Sequence, residues 1–358
     1  MTMTRMSSPV PRESHSEVDL PRVTRFEGDP AEWDAFVVGR PESTFCHLAG
    51  WRSIMEDVLG HETIYLIARD ADGRASGVLP LVHVVSALFG NYLLSMPFLN
   101  YGGPLGSDDA RLALLNAARD EAVDRRVDLL EVRTRDPIIS PLQVSNRKIT
   151  VVLDLPDDLE SLWLGHLRGK VRTMVRRPLK EGMEVRFGPD HLDAFYQVFS
   201  VTMRDLGTPA LPRRFFEAVV THLEPWVRIG VVYSANGTPA AAGFGFLWKG
   251  EFEMTWAGSR REYQRFTVNE YLYWSFMEML IREGADAFNF GRCTPGSGTH
   301  RWKQKWEGRE VALPWLQWTP AATPSPDRPL YRAATWVWSH LPVAVTERLG
   351  PPLASSLP

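Results

Sequence analysis

Apolar and polar positions along this chain follow two rhythms, and the rhythms recur twice in the same order. In "ETIYLIARDADGRASGVLPLVHVV" an apolar strand-like run stops at Asp72-Gly73 and resumes beyond it; "WVRIGVVYSANGTPAAAGFGFLW" repeats the pattern around Asn236-Gly237. Asp-Gly and Asn-Gly accept the positive φ of tight hairpin turns, so both segments predict an antiparallel hairpin. Helical spacing precedes each one. "PAEWDAFVVGR" and "LAGWRSIMEDVLG" lead to the first, "HLDAFYQVFSVTMRDLG" and "PRRFFEAVVTHL" to the second. After each hairpin come a strand, a helix and a strand: "NYLLSMPFLNY", "ARLALLNAARDEAVDRR" and "VDLLEVRTR", then "EFEMTWAGS", "VNEYLYWSFMEMLIREG" and "ADAFNFGR". In the last helix Val268, Leu272, Ser275, Phe276, Met279 and Leu280 share one face. Helices alternating with strands in this way predict an α/β layered unit, here duplicated.

The ends differ from this body. Residues 1–21 are polar, with several Ser and Pro, and read as a disordered tail. "TPAATPSPDRP" reads as a linker, and "LYRAATWVWSHLPVAVTERLG" as a short amphipathic helix broken near Pro342. That helix either packs on the body or makes a peripheral membrane-surface contact. The predicted organisation is tail 1–21, a first unit 22–155, a second unit 156–318, and a linker with a helix over 319–358.

Composition narrows the chemistry. The formal net charge is −3, so no global basic field invites nucleic acid or an anionic surface, and any anion site is local. Thirteen Trp among 358 residues require large aromatic surfaces to be buried or used for binding. Two cysteines far apart, Cys46 and Cys293, make no disulfide framework. His83, His166 and His300 have no ligand spacing, so no metal is expected. The N-terminal residues lack the apolar core of a signal peptide, and no apolar run approaches the roughly 20 residues of a membrane span. A cytoplasmic location with reduced thiols is the expectation.

Several motifs carry a family resemblance. "LSMPFLNYGGPL", "LRGKVRTMVRRPLKEG", "MRDLGTPALPRRFFEAV", "MTWAGSRREYQRFTVNEYLYW" and "FNFGRCTPGSGTHRWKQKWEG" occur in consistent order between about Arg25 and Trp318. In these stretches the chain resembles the FemAB-related proteins, especially the branch associated with exosortase (PEP-CTERM) and exopolysaccharide systems. Asn289 and Cys293 stand where that branch has Asp and Ser, and Pro178 interrupts its basic helix. The resemblance implies two tandem GNAT-like domains, each a mixed twisted sheet flanked by helices. It also implies an N-acyltransferase or aminoacyltransferase forming an amide on an amino group of a cell-envelope or exopolysaccharide precursor. The co-substrate would be an acyl-CoA or an aminoacyl-tRNA, with no tightly bound cofactor. The acceptor would be a small molecule or a lipid- or nucleotide-linked glycan. Because the tandem repeat supplies its own pseudo-dimer, a monomer is expected.

Acyl transfer to an amine needs an anchored donor, a route for the amine proton and donors for the tetrahedral oxyanion. Asp205, beside Arg204 in "MRDLGTP", is the candidate base, and Tyr101 the candidate acid or orienting hydroxyl. Asn100, Arg204, Trp256, Asn269 and Tyr271 are candidates to line the substrate site. In "FGRCTPGSGTHRWKQKWEG" the glycine spacing is followed by Ser297-Gly298, so it is no P-loop. Strand alternation in "HRWKQKW" would put Arg301, Lys303 and Lys305 on one face. Arg292, Lys303 and Lys305 are therefore candidates for an anionic substrate group. The basic segment offers Lys170, Arg172 and Arg176 for an anion such as a lipid pyrophosphate, a nucleotide-sugar or a tRNA backbone. Two alternatives remain: an aminoacyl-tRNA-dependent enzyme acting on a small molecule, and a non-catalytic binding or scaffold protein of envelope polysaccharide assembly.

Overall fold

The computed structural model describes residues 21–320 and 329–357; the predicted tail and most of the predicted linker lie outside them. The strands are β1 (Arg22–Arg25), β2 (Glu62–Arg69), β3 (Ala75–Ser86), β4 (Gly90–Leu94), β5 (Leu105–Gly106), β6 (Leu129–Val132), β7 (Gln143–Asp154), β8 (Glu184–Phe187), β9 (Val227–Tyr233), β10 (Pro239–Trp248), β11 (Glu251–Ser259), β12 (Ala287–Cys293) and β13 (Arg309–Trp318). The helices are α1 (Pro30–Val38), α2 (Gly50–Ser53), α3 (Asp108–Asp124), α4 (Gly169–Lys180), α5 (Leu192–Asp205), α6 (Arg213–Leu223), α7 (Arg261–Gln264), α8 (Val268–Arg282), α9 (Gly298–Lys303), α10 (Pro329–Ser339) and α11 (Val343–Ser355).

Both predicted hairpins form. β2 pairs antiparallel with β3 and β9 with β10, with Gly73 and Gly237 at positive φ in the turns. Both strand–helix–strand units form too: β4 runs parallel to β6 and β11 to β12. All strands join one sheet in the order β1-β2-β3-β4-β6-β13-β7-β12-β11-β10-β9-β8, with β5 paired to β3. The sheet is continuous because β13, last in sequence, inserts between β6 and β7 and pairs antiparallel with both. β7 itself pairs with β12.

One large apolar cluster spans the two halves. It joins Trp33, Trp51 and Leu94 of the first to Phe195, Phe215 and Phe246 of the second, and Phe45 stacks on Phe246 at 4.0 Å. Burying such rings stabilises the contact by roughly 2 kcal/mol each, so the halves form one packed body.

Two readings change in detail. The segment "NYLLSMPFLNY" is a strand only to Leu94. Met96 and Phe98 then take positive φ, and the chain leaves the sheet and crosses to the second half. The C-terminal amphipathic segment divides at Pro342 into α10 and α11, which pack on α5. Ser200 donates to Glu347 at 2.8 Å, and Arg204 donates to the Leu341 carbonyl at 3.3 Å. Trp336, Val337 and Leu349 remain exposed on the outer side. Among the described residues no helix is long and apolar enough to cross a membrane.

Candidate active site

The site is a gap in the sheet. β11 and β12 are paired only at Glu251–Ala287, Phe252–Phe288 and Glu253–Asn289; beyond that point the two parallel strands diverge. The cause lies in β12, where Gly291 takes φ 71 and the β7 pairing is irregular between Asn289 and Arg292. A side chain at 291 would bring its Cβ within 2.8 Å of the Met254 carbonyl. The split opens a cavity of about 410 Å³, lined by Met254–Ala257 on one strand and Phe290–Arg292 on the other. Among the described residues, beyond Glu253 no β12 residue is registered opposite β11, while on β12 the Gly291 N–H donates to Asn289 and the Gly291 and Arg292 carbonyls accept from Lys303.

The first half has the same parallel pair, but its gap is filled. Ser95 N–H donates to the Glu131 carbonyl at 2.9 Å, and Arg133 N–H to the Ser95 hydroxyl at 2.7 Å. The Arg133 guanidinium occupies the carbonyls of Met96 and Leu99 and the carboxylate of Glu131.

At the vertex of the open split sits Glu253, 2% exposed. Its Oε1 accepts from Asn100 Nδ2 at 2.7 Å and from the Thr255 hydroxyl at 3.2 Å, while Oε2 has no partner. Burial, together with the charge of Glu251, pushes its carboxyl up to about 7. Asn100 and Thr255 lie on the cavity wall, so the Thr255 hydroxyl links the cavity to the carboxylate beneath it. Asn100 arrives on the segment crossing from the first half. Beside it Tyr101 is buried, its hydroxyl accepting from Asn289 Nδ2 at 3.0 Å, and it lines no part of this cavity.

Asn289 is fully buried and holds the vertex together. It accepts from the Thr150 hydroxyl at 2.5 Å and from Gly291 N–H at 2.9 Å, and it donates to Tyr101 and, at 2.9 Å, to Glu251. Only an amide can accept and donate on both sides in this way. Asn289→Leu leaves those groups unpaired, and it is expected to cost about 3 kcal/mol in urea unfolding; a loss below about 1 kcal/mol would contradict this account.

Two cations line the cavity, Arg292 and Lys303. Alternation had put Arg301, Lys303 and Lys305 on one strand face, but they lie on helical turns. Ser297 caps α9 by accepting from His300 N–H at 3.1 Å, and helical spacing turns Lys303 away from Arg301 and Lys305. Arg301 is exposed and donates to the Gly296 carbonyl. Lys303 is buried, and its ammonium donates to the carbonyls of Gly291 at 2.5 Å and Arg292 at 3.0 Å. Burial lowers its pKa to about 8. Lys305 pairs with Glu270 at 3.3 Å in a second cleft of about 700 Å³, which also takes in Asn269 and the start of α8. The cleft and the cavity share Ala257, Tyr273 and Thr299 on their walls. α11 closes the other side of the cavity with Ala354, and the residues just after it add Leu357.

The remaining expected residues, Trp256 apart, lie away from the cavity. Asp205 is the last residue of α5, not a loop residue; its carboxylate is held by Arg204 at 2.6 Å and Arg261 at 3.0 Å and reaches neither cavity. Arg204 braces the α10–α11 junction. Trp256 lines the cavity, whereas Tyr271 is buried in the α8 core and lines neither space. In α4, Arg172 caps the carbonyls of Trp163, Leu164 and Leu167, and Arg176 lies over the Trp163 ring at 5.1 Å. Lys170 is exposed at the start of α4, and Pro178 falls in the helix's last turn. Glu253 and Thr255 were not singled out from the sequence. Their signal was the i, i+2 run of Glu251, Glu253 and Thr255, which in an isolated strand reads as a solvent face.

Residues 165–304 match the family model described as an acetyltransferase (GNAT) domain. A search of curated proteins finds no match. Among solved structures, that of FemX shares 14% identity with a TM-score of 0.61, covering 87% of this chain and 100% of that one. L-PGS from Bacillus licheniformis shares 13% identity with a TM-score of 0.53, covering 87% and 96%. A conserved protein of unknown function from Bacteroides thetaiotaomicron shares 12% identity with a TM-score of 0.55, covering 83% and 99%. At these identities the likeness is one of fold.

Proposed function

We propose that this chain, a GNAT-superfamily protein with the tandem fold of FemX, transfers an acyl or aminoacyl group to an amine at the β11–β12 split. The observation that carries the reading is the Glu253 carboxyl, poised at about 7 and joined through Thr255 to a cavity that the Lys303 side chain also lines. The amine nitrogen attacks the carbonyl carbon of a donor R–CO–X. A nitrogen proton passes through the Thr255 hydroxyl to Glu253. The oxyanion that forms is met by Lys303 and by peptide N–H groups of the split. The C–X bond then breaks, giving R–CO–NH–R′ and HX. No covalent enzyme intermediate is required.

The donor's leaving part lies in the cleft beside α8 and its acyl end in the cavity, since the two spaces share walls. In that cleft Glu270, 6% exposed, puts a carboxylate in the first turn of α8. A diphosphate bound at a helix N-terminus would be repelled there. The donor is an acyl-CoA or an aminoacyl ester such as aminoacyl-tRNA, its anionic part placed away from Glu270, which Lys305 and Trp302 hold. The shared fold with FemX and L-PGS, and the FemAB-like motifs, support an acceptor among cell-envelope or exopolysaccharide precursors.

The test is amine-dependent consumption of donor. Purified protein is mixed with aminoacyl-tRNA or acyl-CoA and an amine pool, and amide products are sought by mass spectrometry. Neither donor being consumed faster than in its blank, with no thermal shift from either, would favour the binding-protein alternative.

A further inference from the structure

We infer that the acceptor is a small apolar amine bearing a carboxylate, of the size of an aromatic or branched amino acid, with that carboxylate bound by Arg292. This rests on the cavity being the acyl-transfer chamber. Among the described residues, the Arg292 guanidinium makes no hydrogen bond and no ion pair; it lies over the Trp315 ring at 5.3 Å and faces the cavity. Two carboxylates influence it without touching it: Glu131, already bound by Arg133 and Gln317, and Glu253, held by Asn100 and Thr255. Burial and the neighbouring Arg133 charge lower the pKa of Arg292 to about 10, so it is a cation at neutral pH without an anion of its own. Arg292 is half-buried; an unpaired guanidinium drawn partly out of water is costly, and an incoming anion relieves that cost.

The rest of the wall defines the body of the ligand. Phe98, Phe199, Met203, Leu211 and Leu357 make it largely apolar, and among the described residues no carboxylate or imidazole lies on it. The opposite pole is Glu253, whose Oε2 has no partner, reached through Thr255 and Asn100. A cationic pole, an anionic pole and an apolar wall match a molecule with a carboxylate, an amine and an apolar side chain. A sugar ring is matched poorly. Trp256, the indole on the wall, is already packed edge-to-face against Phe215, Phe216 and Phe244 at 5.8, 5.2 and 5.5 Å. A phosphate needs more donors than the planar fork of one arginine, which suits a carboxylate bidentately.

The experiment is binding without any acyl donor, read by thermal shift and calorimetry. The probes are L-phenylalanine, L-leucine, L-methionine and L-tryptophan, set against L-phenylalaninamide, phenyl phosphate and glucosamine. At least one amino acid binds saturably, and its amide, lacking the carboxylate, binds about tenfold more weakly or worse. Arg292→Gln removes the difference between acid and amide. The inference is overturned if none of the four amino acids binds, if acid and amide bind equally, or if glucosamine or phenyl phosphate binds instead. Should Arg292→Gln fail to fold, the acid–amide comparison in the parent protein decides. Because no donor is present, acyl transfer to some other amine would sink this inference and leave the proposed reaction standing.

Discussion

Lys303→Ala is expected to lower turnover by about 10²–10³-fold, with a fall of several degrees in melting temperature because the Gly291 and Arg292 carbonyls lose their donor. The side chain is long, buried and anchored by two carbonyls, so its ammonium stays at the split without any movement on ligand binding. Those carbonyls, of Gly291 and Arg292, belong to the strand that turns away from β11, which ties the cation's position to the geometry that opens the gap. Only two cations face the cavity among the described residues, and Arg292 is the one left for a substrate anion. Charge on Lys303 is also titratable in the working range. Its pKa is lowered to about 8, so the cation is present below that pH and lost above it, and the rate falls as pH rises through about 8. The variant should lose that falling limb along with its rate. Turnover within threefold of the parent, in a protein that still melts cooperatively, would remove Lys303 from the chemistry.

Local signals were legible in the sequence, and the long-range ones were not. Asp72-Gly73 and Asn236-Gly237 marked both hairpins because a tight turn needs positive φ, a requirement met within two residues. The α8 face, with Val268, Leu272, Phe276 and Leu280, is buried as its period required. β13 and β7 carry no comparable local mark of their partners, since inserting β13 between β6 and β7 depends on residues more than 150 positions apart. The site divides in the same way. Arg292 and Lys303 were found from the density of charge around a glycine loop, although the helical cap at Ser297, and not strand alternation, delivers Lys303. Asp205 drew attention as an acid among breakers; its neighbours Arg204 and Arg261 use its carboxylate structurally. Glu253 escaped notice because its environment is made elsewhere. Asn100, 153 positions away, covers it from the first half, and without that cover a strand glutamate is a surface residue.

Glu253→Gln should then separate activity from stability. Glutamine keeps an acceptor for Asn100 and Thr255 but cannot take the amine proton, so turnover falls by about 10²–10⁴-fold. In the parent protein the rate rises through about 7 as the carboxyl ionises, and with the Lys303 limb near 8 this gives a narrow bell. The variant loses the rising limb. Stability moves the other way. The folded carboxyl titrates near 7 and the ordinary carboxyl at 4.5, so the fold favours the neutral form. The stabilisation is complete below the unfolded value and is lost as pH rises through about 7. Above that pH the native state carries a destabilisation of roughly 3 kcal/mol, from 1.36 kcal/mol per pKa unit. An amide at 253 carries no such charge. At pH 8 the variant is expected to unfold at higher urea than the parent, by about 1–3 kcal/mol, with the gap closing toward pH 5. A catalytic carboxylate held against its own hydration predicts both changes together; a carboxylate that only braces the strand predicts loss of stability at every pH and no change in the shape of the rate profile.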